Sequence, residues 1–78
     1  MSGQFEGRLL AEIPKNNREV YRVTQREYKG HDLVDLRVWY SDAKTGEFLP
    51  SNKGISLKTD CLPEVIKALS LVEVANAP

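Results

Sequence analysis

Hydrophobic and polar positions alternate most clearly between Tyr28 and Tyr40, in the stretch YKGHDLVDLRVWY. Val34, Leu36, Val38 and Tyr40 fall on one side of an extended chain, and His31, Leu33, Asp35, Arg37 and Trp39 on the other. A period of two over this length predicts a half-buried antiparallel strand with an apolar face and a mixed face. The preceding segment, Glu19–Tyr28, is rich in β-branched and aromatic residues and predicts a partner strand. One of its faces carries Val20, Arg22, Thr24, Arg26 and Tyr28. Lys29-Gly30 is a tight link in which glycine is free to take positive φ, so the two strands form a hairpin.

Downstream, 42–46 (DAKTG) reads as a loop. Residues 47–50 (EFLP) read as a short edge strand, because Pro50 cannot donate to a ladder. The next four residues, SNKG, read as a second turn, and 55–57 (ISL) as a brief last strand. The period then changes. Leu62, Val65, Ile66, Leu69 and Val72 have the spacing of an amphipathic helix running to about Glu73. Thr59 or Asp60 is placed to cap it, and Pro63 lies in the first turn, where its missing N–H costs no helical bond. Residues 1–11 read as a flexible N-terminal arm, 12–73 as one domain opened by turn chemistry around Pro14, Asn16 and Asn17, and 74–78 as a tail. The expected fold class is α+β, a curved four-stranded antiparallel sheet followed by one C-terminal helix, ββββα.

One helix covers only part of one face of such a sheet. A domain of 78 residues also buries a modest share of its surface. The single Cys61 excludes an intrachain disulfide, and no Cys/His cluster suggests a structural metal. A homodimer is therefore expected, with no cofactor. Charge changes the picture in one respect. Eleven Lys and Arg balance eleven Asp and Glu, so bulk charge cannot hold this chain to nucleic acid and any such contact must come from a local patch. No apolar run approaches a membrane span and no signal-peptide core is visible, so an intracellular protein with no membrane partner is expected.

Such a patch exists on paper. Arg37 and Trp39 share the mixed face of the second strand, and Arg22, Arg26 and Tyr28 share a face of the first. A cation beside a flat aromatic holds a phosphate and stacks on a base. Each feature has a plainer reading: a lone Trp is commonly core, and strand arginines commonly pair with neighbouring carboxylates on a solvated face. Lys15 and Arg18 are secondary candidates to extend the patch. His31, the sole histidine, has no nucleophile in an evident arrangement, and Asp32 and Asp35 point to opposite faces, so an enzyme is not expected.

In their order, Arg22-Val23, Glu27-Tyr28-Lys29-Gly30, Val34-Asp35-Leu36-Arg37, Trp39-Tyr40 and Lys53-Gly54-Ile55-Ser56-Leu57 resemble the transcriptional coactivator family named for positive cofactor four. The segment Glu12-Ile13-Pro14-Lys15-Asn16 is similar to its bacterial branch, and the likeness covers roughly residues 12–72. The resemblance implies a homodimer of ββββα subunits whose sheets form a groove for single-stranded or melted DNA, read with little sequence preference and without catalysis. It implies that Tyr28 stacks on a base, that Lys29 and Arg37 contact phosphates, and that Lys53 and Gly54 close the far edge of the groove. His31 stands where relatives carry a fixed positive charge beside Gly30. Trp39 and Tyr40 both fit the family's second stacking aromatic; alternation favours Trp39. The expected role is transcription regulation or handling of melted DNA. RNA binding, and an adaptor that docks on the transcription machinery, are the alternatives.

Overall fold

The computed structural model describes residues 7–74. Four strands, β1 (Arg8–Pro14), β2 (Glu19–Tyr28), β3 (His31–Ser41) and β4 (Phe48–Lys58), form one antiparallel sheet in the order β1-β2-β3-β4. A 3-10 turn (Thr59–Cys61) leads into a short helix, α1 (Leu62–Leu69). The expected ββββα order holds, but two of its strands are not the expected ones. Residues 8–11 of the presumed arm belong to β1, and the first six residues of that arm lie outside the described residues, as do 75–78 of the tail. The two short strands expected at 47–50 and 55–57 are parts of one eleven-residue strand, β4.

The β2–β3 hairpin closes as its sequence predicts. Lys29 (φ 53°) and Gly30 (φ 81°) are both left-handed, the two-residue link whose twist matches that of the flanking strands. Its register pairs Tyr28 with His31 and Glu19 with Tyr40 without a break. Between β1 and β2 the chain turns on Asn16. Its Oδ1 accepts the backbone N–H groups of Arg18 and Glu19, each at 2.9 Å. Glu19 Oε1 in turn accepts from Lys15 Nζ and Asn16 Nδ2, both at 2.8 Å. The hydrogen bond from Lys15, followed by that from Asn16, holds the Glu19 carboxyl below the usual carboxylate range.

β1 is an edge strand in which every residue is exposed, and its pairing slips by one at Leu10. The slip breaks its alternation, and with no buried side its sequence carries no burial pattern; backbone pairing with β2 is what makes it a strand.

β4 carries a wider irregularity. Arg37 pairs with Gly54 and Trp39 with Pro50, so Ser51, Asn52 and Lys53 stand opposite Val38 alone. The excursion is stitched to β3. Ser51 Oγ donates to Val38 O at 2.8 Å, Lys53 N–H donates to Ser51 Oγ at 3.1 Å, and Arg37 Nη1 donates to Ser51 O at 3.0 Å. The SNKG turn chemistry is therefore spent on a bulge within a strand, not on a turn between two.

Gly54 also has a role the family resemblance does not name. A Cβ there would sit 2.6 Å from Leu36 O and 2.7 Å from Arg37 Cα. The residue is glycine because β3 and β4 approach too closely for a side chain. Gly54→Ala is expected to destabilise the fold by about 1–3 kcal/mol, the usual cost of overpacking, read as a lower urea midpoint.

The core is small. Val34 and Val38 are buried on one face of the sheet, and Val20, Thr24 and Asp35 on the other. The helix begins and ends inside the expected span. Neither Thr59 nor Asp60 caps it; the N-cap position is Cys61, whose Sγ donates to Lys58 O. No residue of α1 is buried, and Ile66 and Leu69 are about 60 % exposed.

Candidate nucleic-acid interface

Cross-strand register decides which side chains share a face. β2 pairs Val20 with Trp39, Arg22 with Arg37, Thr24 with Asp35, Arg26 with Leu33 and Tyr28 with His31. β4 adds Phe48, Pro50, Gly54, Ser56 and Lys58 to that side, and β1 adds Glu12 and Pro14. The even face of the first hairpin strand and the odd face of the second are thus one surface, as alternation implied. It holds Arg22, Arg26, Tyr28, His31, Arg37 and Trp39.

The opposite face carries an apolar patch, with Glu19, Gln25, Glu27 and Asp32 on the same side. It presents Ile13, Tyr21, Leu36, Val38, Tyr40 and Ile55, and a groove of about 260 Å³ runs between Tyr21, Leu36, Val38 and Ile55 beside Lys53 and Gly54. Tyr40 belongs there, paired with Leu49 and 39 % exposed, so the sheet separates it from Arg37 and Trp39.

The mixed face is less open than its composition suggests. Asp35 is its most buried residue, at 2 % exposure. Its Oδ1 accepts from Arg37 Nη2 and from Ser56 Oγ, each at 2.8 Å, and its Oδ2 accepts from Arg37 Nε at 2.9 Å. These hydrogen bonds raise the pKa of the Arg37 guanidinium above its ordinary value. With Nη1 on Ser51 O as well, Arg37 ties β3 to the β4 bulge. Its charge is offset within the sheet, so it holds the surface in shape more than it adds to the field above it.

Two groups of cations and aromatics line this surface. At the hairpin end, Tyr28 is half exposed, with the Arg26 guanidinium 5.5 Å and Lys29 Nζ 5.3 Å from its ring centre. His31 and Gly30 adjoin it, beside a polar recess of about 200 Å³ completed by Asp32, Lys58, Thr59 and Asp60. Six residues back along β2, about 20 Å at strand rise, the Arg22 guanidinium lies 4.7 Å from the Trp39 ring centre and 5.3 Å from that of Phe48. Arg22 Nε also donates to Glu12 Oε1 at 2.9 Å. Gly54 pairs with Arg37, whereas Lys53, in the β4 bulge, lines the apolar groove of the opposite face with Tyr21 and Ile55. Lys15 is taken up by Glu19.

Phe48 and Glu12 are members of this surface that the sequence did not single out. Phe48 reaches it through the bulge-shifted register that pairs it with Ser41. Glu12 reaches it through β1, whose pairing has no signature in the sequence. Among the described residues no group of His, Cys, Asp or Glu is arranged to hold a metal, and no helix is long and apolar enough to cross a membrane.

Residues 15–68 match the family model described as Transcriptional Coactivator p15 (PC4). The chain belongs to the PC4 family. It is 38 % identical over 66 residues to the RNA polymerase II transcriptional coactivator SUB1 of Saccharomyces cerevisiae, a match that covers 85 % of this chain. The chain corresponds to only 21 % of that yeast protein's length. A PC4 homolog from Burkholderia pseudomallei, solved in an orthorhombic crystal form, superposes with a TM-score of 0.80 at 33 % identity, covering 90 % of this chain and 93 % of that one. Its tetragonal form gives 0.78 at the same identity, covering 85 % and 96 %. The antiparallel sheet with one C-terminal helix is therefore the PC4 fold, and the family is one of transcriptional coactivators.

Proposed function

We propose that this PC4-family chain is a dimeric, non-catalytic protein that binds single-stranded or melted DNA with little sequence preference and acts through it in transcription. The observation that carries this reading is the segregation of the sheet. One face gathers Arg22, Arg26, Tyr28, Trp39 and Phe48 as touching cation–aromatic pairs, flanked by Lys29 and His31, while the other carries the apolar groove. Touching cations and rings supply phosphate contact and base stacking together, and stacking tolerates any base. Trp39 and Tyr28 are the stacking residues in this reading and Lys29 contacts a phosphate; Lys53, in the groove of the opposite face, takes no part in it. Tyr40 sits on the apolar face and belongs to subunit contact.

Dimerisation draws support from what a single chain leaves bare. Ile55 and the helix residues Ile66 and Leu69 are each more than half exposed, and the groove beside Leu36 is apolar. An adaptor docking on the transcription machinery would use the same apolar surface.

The test is titration of labelled oligo-dT, the matching duplex and oligo-U at two salt concentrations, with the mass of the complex measured. Oligo-dT is expected to bind a dimer more tightly than duplex and to weaken as salt rises. Equal binding to duplex, or none to either, would sink the single-strand reading. Equal binding of oligo-U would widen the substrate to RNA, since this surface carries no evident reader of a 2′-hydroxyl. A monomer that binds a partner protein but no oligonucleotide would establish the adaptor instead.

A further inference from the structure

The Arg22 side chain reaches all three other strands: Glu12 on β1, Trp39 on β3 and Phe48 on β4. Its guanidinium lies over the ring of Trp39, the ring on which a base would stack. It is held there by a carboxylate from the edge strand, in a pair that solvent reaches: 21 % of the Arg22 side chain and 42 % of that of Glu12 are exposed. We propose that Glu12 is an electrostatic latch on the stacking platform, holding Arg22 over Trp39 and Phe48 until a phosphate of the incoming strand takes the carboxylate's place.

The inference rests on the single-strand reading above and names how that site is regulated. A phosphate oxygen and the Glu12 carboxylate ask the same of Arg22, a charge-assisted hydrogen bond from the guanidinium. They compete, and the competition lowers affinity by what the Arg22–Glu12 pair contributes. For an exposed pair this corresponds to no more than about fivefold. The exchange also leaves a signature in salt. In the free protein Arg22 is already neutralised by Glu12. When a phosphate replaces Glu12, that phosphate releases its counterion, but the freed carboxylate stays beside the strand and opposes part of the release, so the exchange contributes less than one full phosphate contact. Without the carboxylate the release is complete, and for single strands each neutralised phosphate steepens the dependence of log K on log salt by about 0.7.

The experiment is oligo-dT titration of the wild type, Glu12→Gln, Arg22→Met and the double variant over a range of salt. The sole Trp39 serves as the fluorescent reporter, and circular dichroism checks the fold of each variant. Glu12→Gln is expected to bind up to about fivefold more tightly at low salt, with a slope steeper by up to about 0.7. In the Arg22→Met background the same Glu12 change is expected to do nothing, because the latch has no cation to hold. If Glu12→Gln matches the wild type in affinity and slope, Arg22–Glu12 is a structural pair and the latch is wrong while the single-strand reading stands. If Glu12→Gln tightens binding equally with Met at position 22, the effect is loss of a negative charge and the latch is again wrong. Failure of the wild type to bind oligo-dT removes the parent reading and the latch with it.

Discussion

Asp35→Ala is expected to cost the fold about 3 kcal/mol or more, the largest effect of any single substitution considered. The carboxylate is 2 % exposed and answers three donors, two from Arg37 and one from Ser56. Deleting it strands the Arg37 guanidinium, whose side chain is only 14 % exposed, without its counter-charge. Breaking one partner of a buried pair typically costs about 3–5 kcal/mol, and the residual exposure of Arg37 places the effect near the lower end. Arg37 would also lose the orientation that lets Nη1 hold Ser51 O, so the β4 bulge should loosen with it. Ser56→Ala, which removes one neutral donor, is expected to cost only about 1 kcal/mol. Urea unfolding at fixed protein concentration measures both. Combining Asp35→Ala with Arg37→Met should recover part of the loss, since removing both partners leaves no uncompensated charge. An Asp35→Ala midpoint within 1 kcal/mol of the wild type would show that the network does not hold the sheet together.

Tyr28→Ala is expected to weaken oligo-dT binding by about 1–3 kcal/mol, some 5- to 150-fold, the range measured for one stacked base. Tyr28 is half exposed at the hairpin end and touches Arg26 and Lys29 through its ring. Its removal takes away the stacking plane and frees both cations from it. Because the ring contributes nothing to the buried core, unfolding should shift by less than about 0.5 kcal/mol, as for ordinary surface positions. Tyr28→Phe, which keeps the plane and drops the hydroxyl, should bind like the wild type. Titration of the three proteins at one salt concentration decides it. Wild-type affinity in Tyr28→Ala would move the stacking role wholly to Trp39 and its neighbours.

These two residues mark how far the sequence could be read. The Tyr28-Lys29-Gly30 hairpin tip was legible because a two-residue link with positive φ is a local requirement, met by a short stretch of chain. The sharing of a face by Arg37 and Trp39 was legible because alternation in a strand is equally local. So was Asp35 as the carboxylate that orients the Arg37 guanidinium from the same face, which the two hydrogen bonds between them bear out. The burial of Asp35, its bond from Ser56 on β4 and the packing role of Gly54 were not legible. Gly54 reads as a glycine near a phosphate until its absent Cβ is found against the backbone of β3. Strand β1 was invisible for a related reason: a fully exposed edge needs only a partner's backbone, and that leaves no mark in side-chain pattern.

By itself the sequence determined the period and faces of β2 and β3, the turn between them, the presence of a C-terminal helix and the family likeness that residues 15–68 bear out. All of these follow from the physics of near neighbours. The tertiary structure alone decided that β4 is one bulged strand, that residues 8–14 complete the sheet and that Arg37 is bound into it. It also decided that Arg22 lies over Trp39 and Phe48 under the hold of Glu12. Each depends on register between strands, and a single bulged residue resets register without changing the composition of the strand that carries it.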